Sequence, residues 1–347
     1  MELDLLQQHT RKIYRLDGRE YTIRRVDARS LLVPQRFDLF AKLYYIAHHD
    51  TDLQDALKVY TEHIKAFNPD GREPGREDKN GVEDFVASFN RMIEYFKVND
   101  FDDAVSMVPV DKNGVILDGA HRVAALAYHG REVTIAQFSE VVAKCDFDFT
   151  FFKNRGLSWG ICDKIALEMT KWVPDLLAAC LWPRINMKQQ QLVISSLKRE
   201  HTIAYIKEIK CDLQSLSNFV GYIYRHQSWT KRPDYVLDKS SRIYGNSCLS
   251  VVYFVSGHDL NDILKEKDGI RSLLGKGKDS IHITDNHDET VDIANVTLSS
   301  KGIDTWLTNK TRNRINRITE AMKERWLIFK KVQWLSIKGF ISRHIRK

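Results

Sequence analysis

Four consecutive residues, Gly119, Ala120, His121 and Arg122, stand where a short strand passes through a turn into a helix, and their types suit the binding of an anion. The surrounding stretch, residues 108–130, reads VPVDKNGVILDGAHRVAALAYHG. A helix N-terminus offers unpaired backbone N–H groups and a partial positive charge. Glycine lets the backbone come close to a ligand. His121 and Arg122 add two side-chain donors, the second permanently cationic. Together these are the parts of a phosphate-binding corner. Asp118 precedes the glycine as a helix cap or as a carboxylate facing the phosphates or their metal. An ordinary strand-to-helix turn with Asp118 as its cap would use the same residue types.

The elements that must hold this corner follow from patterning. Strand pieces at 108–110 and 115–117 flank Asn113-Gly114, the strongest short hairpin signal. The helix then runs from Asp118-Gly119 through Val123 and Leu126 to a stop at Gly130. Upstream, residues 21–26 alternate as a strand, and a turn carrying Arg36 and Asp38 leads into a helix over 39–47. Arg36 is a candidate anion ligand and Asp38 a candidate catalytic carboxylate. Residues 52–67 form an amphipathic helix with Leu53, Leu57, Tyr60 and Ile64 on one face. A polar, Gly/Pro-rich loop over 68–81 offers Glu77 as a second candidate carboxylate on a lid. A helix over 82–97 and a strand over 131–138 complete an α+β layout.

The run DGAHRVAAL resembles the central motif of the ParB/sulfiredoxin-like superfamily. Its members place such a corner on nucleotide phosphates. The resemblance covers roughly residues 20–140 and is specific around 105–127. Sulfiredoxins carry a catalytic Cys where this chain has Ala120, and the partition proteins carry Arg where it has His121. The D-G-x-H-R form is nearest to the branch containing kinases of free serine. The resemblance implies ATP or ADP, or else CTP, bound at Gly119, Ala120, His121, Arg122 and Arg36, with Mg²⁺ on the phosphates. It also implies transfer to a small hydroxyl-bearing acceptor. Kinases of this branch use a Glu near an early strand, which has no clean match here, so Asp118, Glu77 and Asp38 stand as the candidate carboxylates for that chemistry. The alternative is a ParB-like, nucleotide-gated protein that binds nucleic acid.

The second half is expected to be a helical segment followed by a small α/β domain. Helices are expected over 162–172, 173–182, 187–198, 202–210 and 213–224, with Trp159, Trp172, Trp182 and Trp229 as core aromatics. An apolar strand over 249–256, a helix over 260–274 and a strand over 280–284 follow, and Asp285 is expected to cap the next helix. Within SIHITDNHDET, His282, Asp285 and His287 are candidate metal ligands, although acids in a first helical turn also suit its dipole. The nearby GKGK at 275–278 lacks the spacing of a P-loop. Trp229, Lys267, Arg271 and the HITDNHDET run resemble domains encoded with bacterial cell-surface polysaccharide enzymes. That resemblance implies a pathway and no particular chemistry.

Composition bounds the remainder. The chain has 347 residues and a net charge of +7. Residues 310–347 hold twelve Lys and Arg against two Glu, a local +10, so the remaining chain carries −3. This basic, Trp-containing tail reads as an amphipathic helix suited to an anionic membrane surface, with nucleic acid the competing partner. Five scattered cysteines with no C-x-x-C pair fit reduced thiols. No signal peptide or spanning segment is evident, so a cytoplasmic protein is expected, peripheral to the inner face of the membrane where the tail engages it. The expected boundaries are 1–145, 146–309 and 310–347.

Overall fold

The computed structural model describes residues 2–73 and 79–307. Glu77 and the basic tail over 310–347 lie outside the described residues. The order is α1 (Gln8–Tyr14), β1 (Tyr21–Asp27), α2 (Phe37–His48), α3 (Leu53–Phe67), α4 (Val82–Val98), β2 (Val108–Val110), α5 (Ala120–Tyr128) and β3 (Glu132–Phe138). Then come α6 (Phe149–Asn154), α7 (Trp159–Met169), β4 (Leu176–Leu181), α8 (Met187–Glu200), β5 (Thr202–Ile209), α9 (Leu213–Ile223), α10 (Pro233–Ile243), β6 (Leu249–Val255), α11 (Leu260–Leu274), β7 (Ile281–Ile283) and α12 (His287–Thr297). The class is α+β, as expected. Among the described residues no helix is long and apolar enough to cross a membrane, and all five cysteines are free thiols.

The first sheet has the order β1-β3-β2. β3 pairs antiparallel with β1 and parallel with β2, and α5 is the crossover between the two parallel strands. The expected second hairpin strand is reduced to one bridge, Val110 to Ile116. The turn itself is firmly made. Asp111 Oδ1 accepts from Asn113 N at 2.8 Å and Val115 N at 2.9 Å, and Gly114 takes a φ of +86°. Helix α3 is capped by Asp52, whose side chain accepts from Asp55 N, and it buries Ala56, Val59, Tyr60, His63 and Ile64 on one stripe.

The second half departs from the expected helical segment. Residues 173–182 and 202–210 are not helices; they contain β4 and β5. These strands join β6 and β7 in a four-stranded sheet of order β5-β6-β4-β7, every pair antiparallel. Two interleaved β-α-β units produce this order, the split β-α-β arrangement. Cys180 and Ala178 face one layer while Ala179 and Leu181 face the other, so β4 is apolar throughout because both of its faces are covered. Of the four tryptophans, Trp182 is fully buried but Trp159 is exposed. Helix α12 is capped by Asn286, which accepts from Glu289 N, rather than by Asp285.

The two halves share one contiguous core. Phe37 of α2 stacks on Tyr205 of β5, centroids 6.2 Å apart and planes within 6°, and also meets Phe152 of α6. Replacing Phe37, which has no exposed surface, with Ala is expected to lose about 3–5 kcal/mol. Urea unfolding followed by tryptophan fluorescence and by circular dichroism should show both signals shifting together.

Candidate functional site

Helix α5 starts at Ala120 because Gly119, with φ +86°, turns the chain in a conformation costly for any side chain. A Cβ at Gly119 would also lie 3.1 Å from Arg122 Nη2 and 3.3 Å from Val108 Cγ2. Asp118 Oδ1 accepts from Gly119 N at 2.6 Å, whereas Asp118 Oδ2 is buried with no hydrogen-bond partner and lies 4.0 Å from Arg122 Nη2. The corner opens on a cavity of about 490 Å³, a size typical of small-molecule sites.

The cavity gathers residues far apart in sequence. Arg36, Asp38, Lys42, His63, Glu73, Lys79, Asp118, Gly119, Ala120, His121 and Arg122 all line it. The candidates Arg36, Asp38, Asp118 and Gly119 to Arg122 are therefore brought together. Phe67, Phe85, Phe89 and Phe147 supply an aromatic wall.

Beneath the corner lies a buried charge cluster. Arg36 grips Asp38 with two parallel bonds, Nε to Oδ1 at 2.8 Å and Nη2 to Oδ2 at 2.9 Å. Lys42, one turn along α2, donates to the same Oδ2 at 2.9 Å. Arg36 Nη1 also donates to the Ile116 carbonyl at 2.6 Å, tying α2 to the strand that feeds the corner. Burial alone would raise the Asp38 pKa, but the charges of Arg36 and Lys42 outweigh it and hold the carboxyl far below its usual range. Burial pulls the Lys42 pKa down, with Asp38 opposing. Two cations thus share one anion. Lys79 pairs with Glu73 and sits 4.9 Å over the Phe85 ring.

Two imidazoles complete the lining. His121 Nε2 lies 2.9 Å from the Tyr60 hydroxyl, with its ring edge-on to Phe89. Burial, then Lys42 and Lys79, depress its pKa well below 6.5. His63 is 1 % exposed, and neither ring nitrogen has a hydrogen-bond partner. Burial and Lys42 likewise hold it neutral. His63 and Lys42 did not emerge from the sequence. The usable signals were Tyr60-x-x-His63-Ile64 on one helical stripe and an Asp38/Lys42 pair four residues apart.

No family model, curated protein or solved structure matches this chain.

The expected His282, Asp285 and His287 metal set does not converge. Among the described residues, the group whose ligand atoms lie within 4.8 Å of one another is a different one, His201, His258 and Glu266. The reason is local geometry. His282 points from β7 onto the Tyr224 ring, Asp285 pairs with Lys267 at 2.5 Å, and His287 is the first residue of α12. Burial and Lys267 push the His282 pKa down to about 3.

His63, His121 and His282 therefore stay neutral in the fold while their unfolded counterparts titrate near 6.5. The unfolded state binds more protons as pH falls below that value, so stability is expected to fall with it. Each group adds a slope of up to about 1.4 kcal/mol per pH unit. The low pKa of Asp38 adds its own loss only below about 3.8. Urea midpoints measured from pH 7.5 to 5 should decline, and less steeply for His63→Gln.

Proposed function

We propose that the protein is a nucleotide-dependent phosphotransferase whose cavity seats the phosphates of ATP or ADP at the first turn of α5. The observation that carries this reading is the buried excess of positive charge beside a helix N-terminus, with Arg36 and Lys42 sharing the single carboxylate of Asp38. An anion entering there completes the charge balance and is favoured by the partial positive charge at the start of α5, where Ala120, His121 and Arg122 line the cavity and the Gly119 amide is already held by Asp118. Arg122 lies at the corner, 18 % exposed, where a guanidinium serves phosphate oxygens well. The aromatic wall suits a nucleobase, and CTP is the alternative to the adenine nucleotides.

The carboxylates divide by their partners. Asp38 has both oxygens engaged by cations and acts as the counter-ion that holds Arg36 and Lys42 in place. Asp118 keeps Oδ2 unbonded beside the corner and is the better group to orient an acceptor hydroxyl. The same oxygen fits Mg²⁺, which typically takes one or two carboxylates and completes its shell with phosphates and water. Mg²⁺ would neutralise charge on the transferring phosphoryl group. His63 offers a neutral ring with a donor and an acceptor to whichever molecule fills the cavity. The acceptor class is a small hydroxyl-bearing molecule, and a surface-glycan precursor is the instance the sequence resemblance favours.

Calorimetric titration of the full-length protein with ATP, ADP and CTP, with Mg²⁺ and with chelator, tests this reading. Arg122→Ala is expected to weaken the preferred nucleotide by about 10–100-fold, the worth of one hydrogen bond to a charged group. Asp118→Asn, which can still accept from Gly119 N, should bind within about threefold and lose phosphoryl transfer. Failure of all three nucleotides to bind, or an Arg122→Ala protein that binds like wild type, would sink the proposal. Binding without turnover on any hydroxyl acceptor, together with a DNA mobility shift, would favour the nucleotide-gated alternative.

A further inference from the structure

A second convergence of ligand-type side chains lies at one end of the four-stranded sheet, built from residues that do not line the cavity. Thr202 is paired with Val255 across β5 and β6. That register puts His201, which precedes β5, and residues 256–258, which follow β6, at the same sheet end. His201 is the C-terminal cap of α8. The turn carrying His258 is fixed by its backbone N–H, which donates to Ser256 Oγ at 3.0 Å. Glu266 reaches in from α11, which packs on the same face of the sheet as α8.

We propose that His201, His258 and Glu266 form a binding site for a divalent transition-metal ion of the zinc class, with a fourth coordination position left open. One ligand atom from each residue lies within 4.8 Å of the other two. His201 Nε2 and Glu266 Oε2 are already 2.7 Å apart, and the His201 and His258 ring centroids are separated by 5.0 Å. The His201 side chain is fully buried, its ring 4.9 Å from that of Phe254. Two polar atoms of the group, His201 Nδ1 and Glu266 Oε1, are buried without a hydrogen-bond partner. Buried polar groups are ordinarily satisfied, so the orphan Oε1 of Glu266, on the carboxylate that already meets His201 Nε2, points to a further partner there, whereas His201 Nδ1 lies across the ring from that contact.

The donor set selects the ion. Two imidazoles and one carboxylate make a set used by three-ligand zinc sites. Mg²⁺ and Ca²⁺ prefer oxygen donors, and a single carboxylate serves them poorly. Bonds of about 2.0–2.2 Å separate tetrahedral ligands by about 3.3 Å. The His201–Glu266 contact would open by a few tenths of an ångström, and the His258 ring would swing in. His258 is exposed on its turn, which gives the ion a way in and leaves the fourth position toward solvent. The competing possibility is a plain His201–Glu266 hydrogen bond with His258 as a bystander.

The test uses full-length protein stripped with chelator and titrated with Zn²⁺ by calorimetry, then with Co²⁺ by visible absorption. Wild type should bind one Zn²⁺ at a site that excess Mg²⁺ does not block, and Co²⁺ should give the intense visible bands of a four- or five-coordinate ion. His258→Ala, at an exposed position, and Glu266→Gln, which preserves shape and hydrogen bonding, should each weaken that site at least about 100-fold, since outer partners alone are worth about 10–100-fold. His226→Ala, an exposed histidine elsewhere, should bind as wild type does. Circular dichroism verifies that each variant is folded. A wild-type protein with no stoichiometric Zn²⁺ site, or folded His258→Ala and Glu266→Gln proteins that bind like wild type, would overturn the assignment.

Discussion

The described site depends on one carboxylate. Among the described residues, Asp38 is the sole counter-ion bonded to both Arg36 and Lys42 in the interior of the first half. Removing one partner from such a cluster leaves uncompensated charge in a poor dielectric, which costs far more than the intact cluster contributes. Its reach is wider than charge. Through Arg36 it fixes the Ile116 carbonyl two residues before Asp118, so the position of α5 relative to α2 is set by an ion pair as well as by packing. The local cation excess and the geometry of the corner therefore share a cause.

What the sequence conveyed was what is local. The Asn113-Gly114 turn, the positive φ at Gly119 and the helix behind it each depend on a few adjacent residues, and all are present. The aromatic wall and the paired use of Lys42 were not legible, because they exist only once α2, α3 and α4 meet around α5. His63 illustrates the difference. Its spacing put it on the apolar stripe of α3, but only the folded molecule leaves both ring nitrogens unpaired beside the corner.

The errors in the second half have one physical origin. Strand β4, Leu-Leu-Ala-Ala-Cys-Leu, lacks period-two alternation because helices cover both faces of its sheet, and a short run of that kind reads equally well as a buried helix. Strand β5 misled differently, since Ile203, Ile206 and Ile209 recur at a helical interval. The metal set failed for a related reason. Closeness in sequence suggested His282, Asp285 and His287, but a strand that turns into a helix sends successive side chains in different directions. The residues that do meet lie up to 65 positions apart and are joined by strand register.

The stacking of Phe37 on Tyr205 has a consequence for how the chain can be divided as well as for its stability. An N-terminal block ended near residue 145 would leave that aromatic surface bare, together with the side of α2 that packs on α7. Such a fragment is a poor candidate for transplantation onto an unrelated partner. An isolated fragment of that kind would present Phe37 as bare apolar surface, which self-association would hide.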